Sequence, residues 1–239
     1  MENVKVSSKN LPTLNVQTEY ITLWNTIRKE EEEVQSIFNL QGNMFHFIKP
    51  TADIKSFHIY VACDASRNLH FYFISSSDDA NKKFNWVYSS QIKQLKYSLP
   101  QSTQPPTETK FIDWSSANKW VNNWIDDSKR NAWISDNFSV DSDKNNIVQA
   151  FEINANDFEI NDIHNCFLAL KKDGSGNYQA DLVVYNTATQ TLVNTVSKVL
   201  NGGVKPAFSF EDLARPVPPF GGDGLEYKNF GVLVDLGIV

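Results

Sequence analysis

SFHIYVACDASRNLHFYFIS, residues Ser56 to Ser75, is the stretch on which the reading of this chain turns. Two runs rich in aromatic and β-branched residues flank the polar break DASRN, the pattern of two strands joined by a turn. Centring the turn near Ala65–Ser66 sets His58 opposite Ile74 and His70 opposite Ala62. The two imidazoles are then separated by roughly 13 Å at about 3.3 Å per residue. One zinc ion needs its nitrogens within about 2.1 Å, so this hairpin does not make a zinc site. The preceding break, KPTAD (Lys49–Asp53), reads as a second turn and sets His46 opposite His58 on one face. A metal site there would need a carboxylate as well.

Working outward, YITLWNTIRKEEEEVQSIFN (Tyr20–Asn39) places Ile21, Trp24, Ile27, Val34, Ile37 and Phe38 at helical spacing, with Glu30–Glu33 on a solvated face. Strand-like runs follow at Met44–Ile48, Ser56–Cys63, Leu69–Ser75 and Phe84–Ser90. After the connector LPQSTQPPTET (Leu99–Thr109), a second helix carries Trp120, Val121, Trp124 and Ile125, with Ser115 and Ser116 as candidate caps. Four more runs occupy Ile147–Ile153, Ile163–Lys172, Tyr178–Asn186 and Leu192–Leu200. The order of helix and four strands thus occurs twice. Phe45 lies over Phe151, Phe57 over Ile163, His58 over His164 and Phe71 over Leu182, a pattern of internal duplication.

The expected fold is α+β, with two tandem helix-plus-four-strand units whose sheets are antiparallel meanders. The expected division is a first unit over 1–100, a connector over 101–110, a second unit over 111–200 and a Pro/Gly-rich tail over 201–239. The tail contains RPVPPFGGDG (Arg215–Gly224), a candidate lid or polyproline ligand, and its last run, Gly231–Val239, reads as a strand.

The 239 residues carry a formal charge of −6, with 41% hydrophobic and 21% charged residues. That composition belongs to a globular chain, and the acidic balance points away from nucleic acid and anionic membranes as partners. No apolar run reaches the length of a membrane span, and the first residues lack the pattern of a secretory signal. Cys63 and Cys166, each in an apolar run, read as buried reduced thiols. The expected compartment is the cytoplasm.

Three candidate sites emerge. DSDKNNIVQAFE (Asp141–Glu152) resembles the EF-hand calcium loop over its twelve residues. Asp141, Asp143, Asn145 and Glu152 fall on ligand positions, while Asn146 stands where that family has glycine. The resemblance implies calcium as a cofactor. Trp120 and Trp124 share a helix face and form a candidate stacking platform for a sugar or other planar ligand. His46 and His58, with Glu152, His164 and Asp181 at the matching positions of the second half together with His70, form a candidate metal face. G-x-S-x-G, H-E-x-x-H, G-x-G-x-x-G, phosphate-loop and C-x-x-C signatures are all absent from the sequence. The leading expectation is a non-catalytic protein that binds another protein or a small-molecule ligand. A metal-dependent hydrolase and a carbohydrate-binding module are the alternatives.

Overall fold

The computed structural model describes residues 14–102, 112–139, 147–172, 174, 176–193, 215–217 and 229–238. Helices α1 (Leu14–Ile27) and α2 (Glu31–Leu40) precede strands β1 (Met44–Ile48), β2 (Ser56–Cys63) and β3 (Leu69–Ser75), the short helix α3 (Ser76–Ala80) and β4 (Trp86–Gln91). Helices α4 (Trp114–Ile125) and α5 (Asp127–Ser139) follow, then β5 (Ala150–Asn154), β6 (Ile163–Lys172), β7 (Tyr178–Asn186), β8 (Leu192–Val193), β9 (Arg215–Val217) and α6 (Gly231–Asp235). None of the described helices is long and apolar enough to cross a membrane.

The fold is α+β with two antiparallel sheets, but neither sheet is a meander. One sheet runs β4-β3-β2-β5-β9 and the other β1-β6-β7-β8. The hairpins β2–β3 and β6–β7 form as their short turns require, with His58 facing Ile74 and Ala62 facing His70. The leading strands are exchanged. β1 pairs with β6, setting His46 against Asn165, while β5 pairs with β2, setting Glu152 against His58. KPTAD therefore carries the chain from one sheet to the other, and His46 does not oppose His58. The register also sets the two histidines apart: His164 shares the buried inner face with its partner Phe47, whereas His58 lies on the outer face of its sheet, one residue from inward-facing Phe57. A shift of one residue reverses every side chain of a strand.

The inner faces of the two sheets press together. Phe45 stacks on Phe71 with centroids 3.9 Å apart, and Phe47 stacks on Phe73 at 4.3 Å. Ile59, Val61, Phe151, Ile153, Cys166 and Leu168 join this core, all nearly or wholly buried. On the outer side of each sheet lies a helix, α1 over β2 and α4 over β6. One end of the sandwich is closed by Trp24, Phe38, Trp124 and Trp133, whose rings meet edge-on or tilted. Trp24 Nε1–H donates to Val148 O at 2.8 Å, which anchors α1 beside the start of β5. The space left among these rings is about 20 Å³, enough for one water and far too little for a metabolite.

Several boundaries differ from the sequence reading. The first helical pattern is two helices, because Arg28 turns inward and donates to Ile147 O at 2.9 Å, and Glu30 takes an extended conformation. Glu31–Glu33 then occupy the first turn of α2, where the helix dipole favours acids. The cap of α4 is Asp113, whose carboxylate accepts from Ser116 N–H, rather than Ser115 or Ser116. The apolar run after Gly231 is helix α6 and not a strand.

Gly42 lies where β1 begins. A Cβ there would sit 2.1 Å from the carbonyl oxygen of Leu95 and 2.3 Å from that of Lys93. Gly42→Ala is expected to destabilise the protein by about 1–3 kcal/mol, the usual cost of overpacking. Gly174→Ala, where a Cβ meets open space, should stay within about 0.5 kcal/mol of the parent. Urea unfolding of the two variants measures the difference.

Candidate functional site

The chain has four histidines and two cysteines, and the structure places all six in separate surroundings. His46, half-buried on β1, lies 2.8 Å from the Asn165 side-chain oxygen. Burial and then the Lys93 charge lower its proton affinity, against the opposing bond to Asn165. His70 lies 3.0 Å from Asp64, which also accepts from Asn68 N–H and so fastens the DASRN turn, where Arg67 adopts φ 67°. His164 is fully buried between the sheets. Its Nε2 accepts from Glu159 N–H, so the other nitrogen, 3.1 Å from Asp162 O, carries the proton. Burial pushes the His164 pKa down to about 4. Both thiols are buried, and desolvation raises their pKa values, Cys63 to about 11 and Cys166 further; neither is a thiolate nucleophile at neutral pH.

The fourth histidine lies in a buried polar cluster. The outer face of the first sheet carries His58 and Tyr60 on β2, and α3 turns Asp79 back over them. All three are at most 1% exposed. His58 Nδ1 and Tyr60 Oη each lie 2.5 Å from the same carboxylate oxygen, Asp79 Oδ2. The other oxygen, Oδ1, accepts from the backbone N–H of Val232 at 3.0 Å. Phe230 stacks on the His58 ring, with centroids 3.9 Å apart and planes 15° apart. The phenol of Tyr60 is held far above its usual pKa, first by burial and then by the Asp79 charge, so it remains a donor. A carboxylate that receives three donors is a strong fixed acceptor. The arrangement binds α3, β2 and the segment around α6 into one unit.

The candidates read from sequence fare unequally. His46 and His58 stand on different sheets; of the second-half candidates Glu152 comes beside His58, while His164 and Asp181 lie elsewhere. Glu152 is 3.9 Å from His58 Nε2, and Asp181 is buried 3.7 Å from Lys171 Nζ. Among the described residues no group of three or more His, Cys, Asp or Glu is placed to hold a metal ion. Asp141, Asp143 and Asn145 lie outside the described residues, and Glu152 is part of β5. Trp124 is 3% exposed, with its ring against Phe38 and Trp133. Trp120 is half-buried beneath the Lys171 ammonium, 5.8 Å from the ring centroid. The pair packs α4 onto the second sheet rather than presenting an open stacking surface. Of RPVPPFGGDG, Arg215–Val217 is β9 on the edge of β5, and the remainder lies outside the described residues.

Sequence reasoning missed Asp79. In SSDDANK it reads as a solvated turn carboxylate, and nothing local marks it as buried. The available signal is distant: an apolar strand that carries His58 and Tyr60 on its outward side needs a polar partner if that side is covered.

A second feature is an exposed apolar corner. Leu40 is 72% exposed, Leu95 68% and Tyr97 39%. Their backbone is tightly tied. Gly42 N–H donates to Lys93 O, Lys93 N–H donates to Met44 O, and the fully buried Asn43 amide both donates to Tyr97 O and accepts from Tyr97 N–H. Comparison of the chain with protein-family models, curated proteins and solved structures finds no match.

His164 makes a pH prediction. Its folded pKa of about 4 lies below the unfolded value near 6.5, so the unfolded chain binds the extra proton first. Stability should therefore fall as pH drops from about 6.5 to 4, by roughly 3 kcal/mol from this group, and level off below that. Urea midpoints measured from pH 7 to 4 should show this slope, and His164→Gln should lose its share of it.

Proposed function

We propose that this chain is a non-catalytic binding protein and that it meets another protein through the corner of Leu40, Leu95 and Tyr97. The observation that carries the reading is the exposure of these three large apolar side chains beside a closely hydrogen-bonded backbone. Large apolar groups held outward by a buried Asn clamp and a backbone that excludes even a Cβ at Gly42 are the preorganised anchors from which protein interfaces draw most of their energy. The corner is edged by the ion pairs Arg67–Glu33 and Lys96–Asp127, which fits an apolar centre with a charged rim. The commitment of every histidine and both cysteines to internal contacts or burial favours binding over catalysis.

The reciprocal pairing of β1 with β6 and of β5 with β2 supports a further reading, that the two halves arose by duplication of one helix-and-strand unit that exchanges its leading strand with its copy.

Site-specific photo-crosslinking tests the binding surface. A benzophenone side chain at position 95 is expected to give a discrete protein adduct in the native host, at least fivefold above the same group at exposed Lys119 on α4. Leu40→Ser with Tyr97→Ser should reduce that adduct about tenfold, as loss of one to two anchors predicts, with melting unchanged because both side chains are exposed. Equal labelling at positions 95 and 119 counts against the corner.

A further inference from the structure

The cluster around Asp79 has the form of a socket, and its occupant is a segment of the same chain. Four consecutive residues fill it by different chemistry. Phe230 lies flat on the His58 imidazole. Gly231 packs against α3 so closely that a Cβ would lie 2.0 Å from the Asp79 carbonyl oxygen. Val232 gives its N–H to the Asp79 carboxylate, and the Val232 and Leu233 amides also face the Tyr60 hydroxyl. The Val232 and Leu233 side chains, at most 2% exposed, enter the apolar cluster of Ile21, Tyr60, Ala62, Tyr72 and Ile74.

Beyond these contacts the segment's side-chain ties are few: Asp235 lies 4.0 Å from Lys82 Nζ, and Leu236 and Ile238 pack partly buried against the same apolar cluster. Its further backbone bonds among the described residues run from Val234 to Phe230, Leu236 to Val232, Gly237 to Val234 and Ile238 to Leu233. It pairs with neither sheet. A helix of five residues has no stability of its own in water, so the segment is ordered by the socket and can leave it as a unit while the sheets stay paired.

We infer that this groove on the outer face of the first sheet is a peptide-binding site for the pattern aromatic–glycine–aliphatic–aliphatic, occupied in cis by Phe230–Leu233 and open to a peptide of that pattern from another chain when the segment departs. His58 reads the aromatic ring, the Asp79 backbone enforces glycine, the Asp79 carboxylate takes the next N–H, and Tyr60, Tyr72 and Ile74 take the aliphatic pair. The covalent link gives the cis segment a high effective concentration, so it acts as a built-in competitor. The inference is separate from the Leu95 corner, which can fail its own test with the groove intact.

The probe is a fluorescein-labelled peptide of Asn229–Ile238, followed by anisotropy. The receptor is the full chain, as the parent and as Gly231→Val, whose own segment no longer seats. The variant is expected to bind the peptide saturably and at least tenfold more tightly than the parent does. The same peptide carrying Gly231→Val should show at least a tenfold loss. A folded variant that ignores the peptide, a parent that binds equally well, or equal binding of the altered peptide each overturns the proposal. If the variant does not fold, hydrogen exchange of the parent decides. Amides of Val232–Ile238 exchanging at least tenfold faster than those of Tyr60 and Tyr72 support a displaceable segment, and exchange at the same rate overturns it.

Discussion

Everything in this protein rests on two apolar sheet faces that meet through stacked phenylalanines. Phe45 and Phe47 on β1 lie flat on Phe71 and Phe73 of β3, so the strand that enters the second sheet is the one that aligns it with the first. Ser90 Oγ accepts from His46 N–H and Lys93 N–H reaches Met44 O, so β1 and the end of β4 are also joined along their edges. The helices then have fixed surfaces to cover. α1 and the segment around α6 share the outside of one sheet, and α4 takes the outside of the other. The Asp79 socket and the Leu95 corner are both consequences, one on a covered outer face and the other where β4 leaves the sheet toward β1.

What the sequence makes legible follows from the range of each force. The hairpins β2–β3 and β6–β7 are joined by short polar breaks, and the register of the first could be read from its turn. The partner of β1 could not. A two-residue period says which side chains share a face but not which strand lies alongside, and KPTAD has ordinary turn chemistry although it crosses between sheets. Gly231–Val239 mixes glycine, valine and leucine, which suits a buried helix turn as well as a strand. In the structure Gly231–Asp235 is helix, with Phe230 stacked on His58 and the Val232 N–H on Asp79.

The sites show the same division. Helical spacing puts Trp120 and Trp124 on one face but does not say whether that face is open, and it is burial that places Trp124 in the core. His58 alternates with apolar neighbours, the pattern of an outward strand position. It does point away from the sandwich, but α3 and Phe230 cover that side, so an outward position is nonetheless among the least exposed in the chain. Binary pattern separates the two faces of a sheet and is silent on whether both are covered.

The exchange of leading strands has a consequence for how the chain is made. During synthesis β1, β2, β3 and β4 emerge before β5 and β6 exist, so β1 has no partner and the β2 edge lies open. Neither sheet can be completed until the second half has left the ribosome, and long-range pairing of this kind is slow and exposes unpaired edges. The backbone pairing of the first half is thus complete only once its own second half is present. A chain interrupted between β4 and β5 keeps β1 stacked on β3 but lacks both the strand that pairs with the β1 backbone and the one that closes the β2 edge.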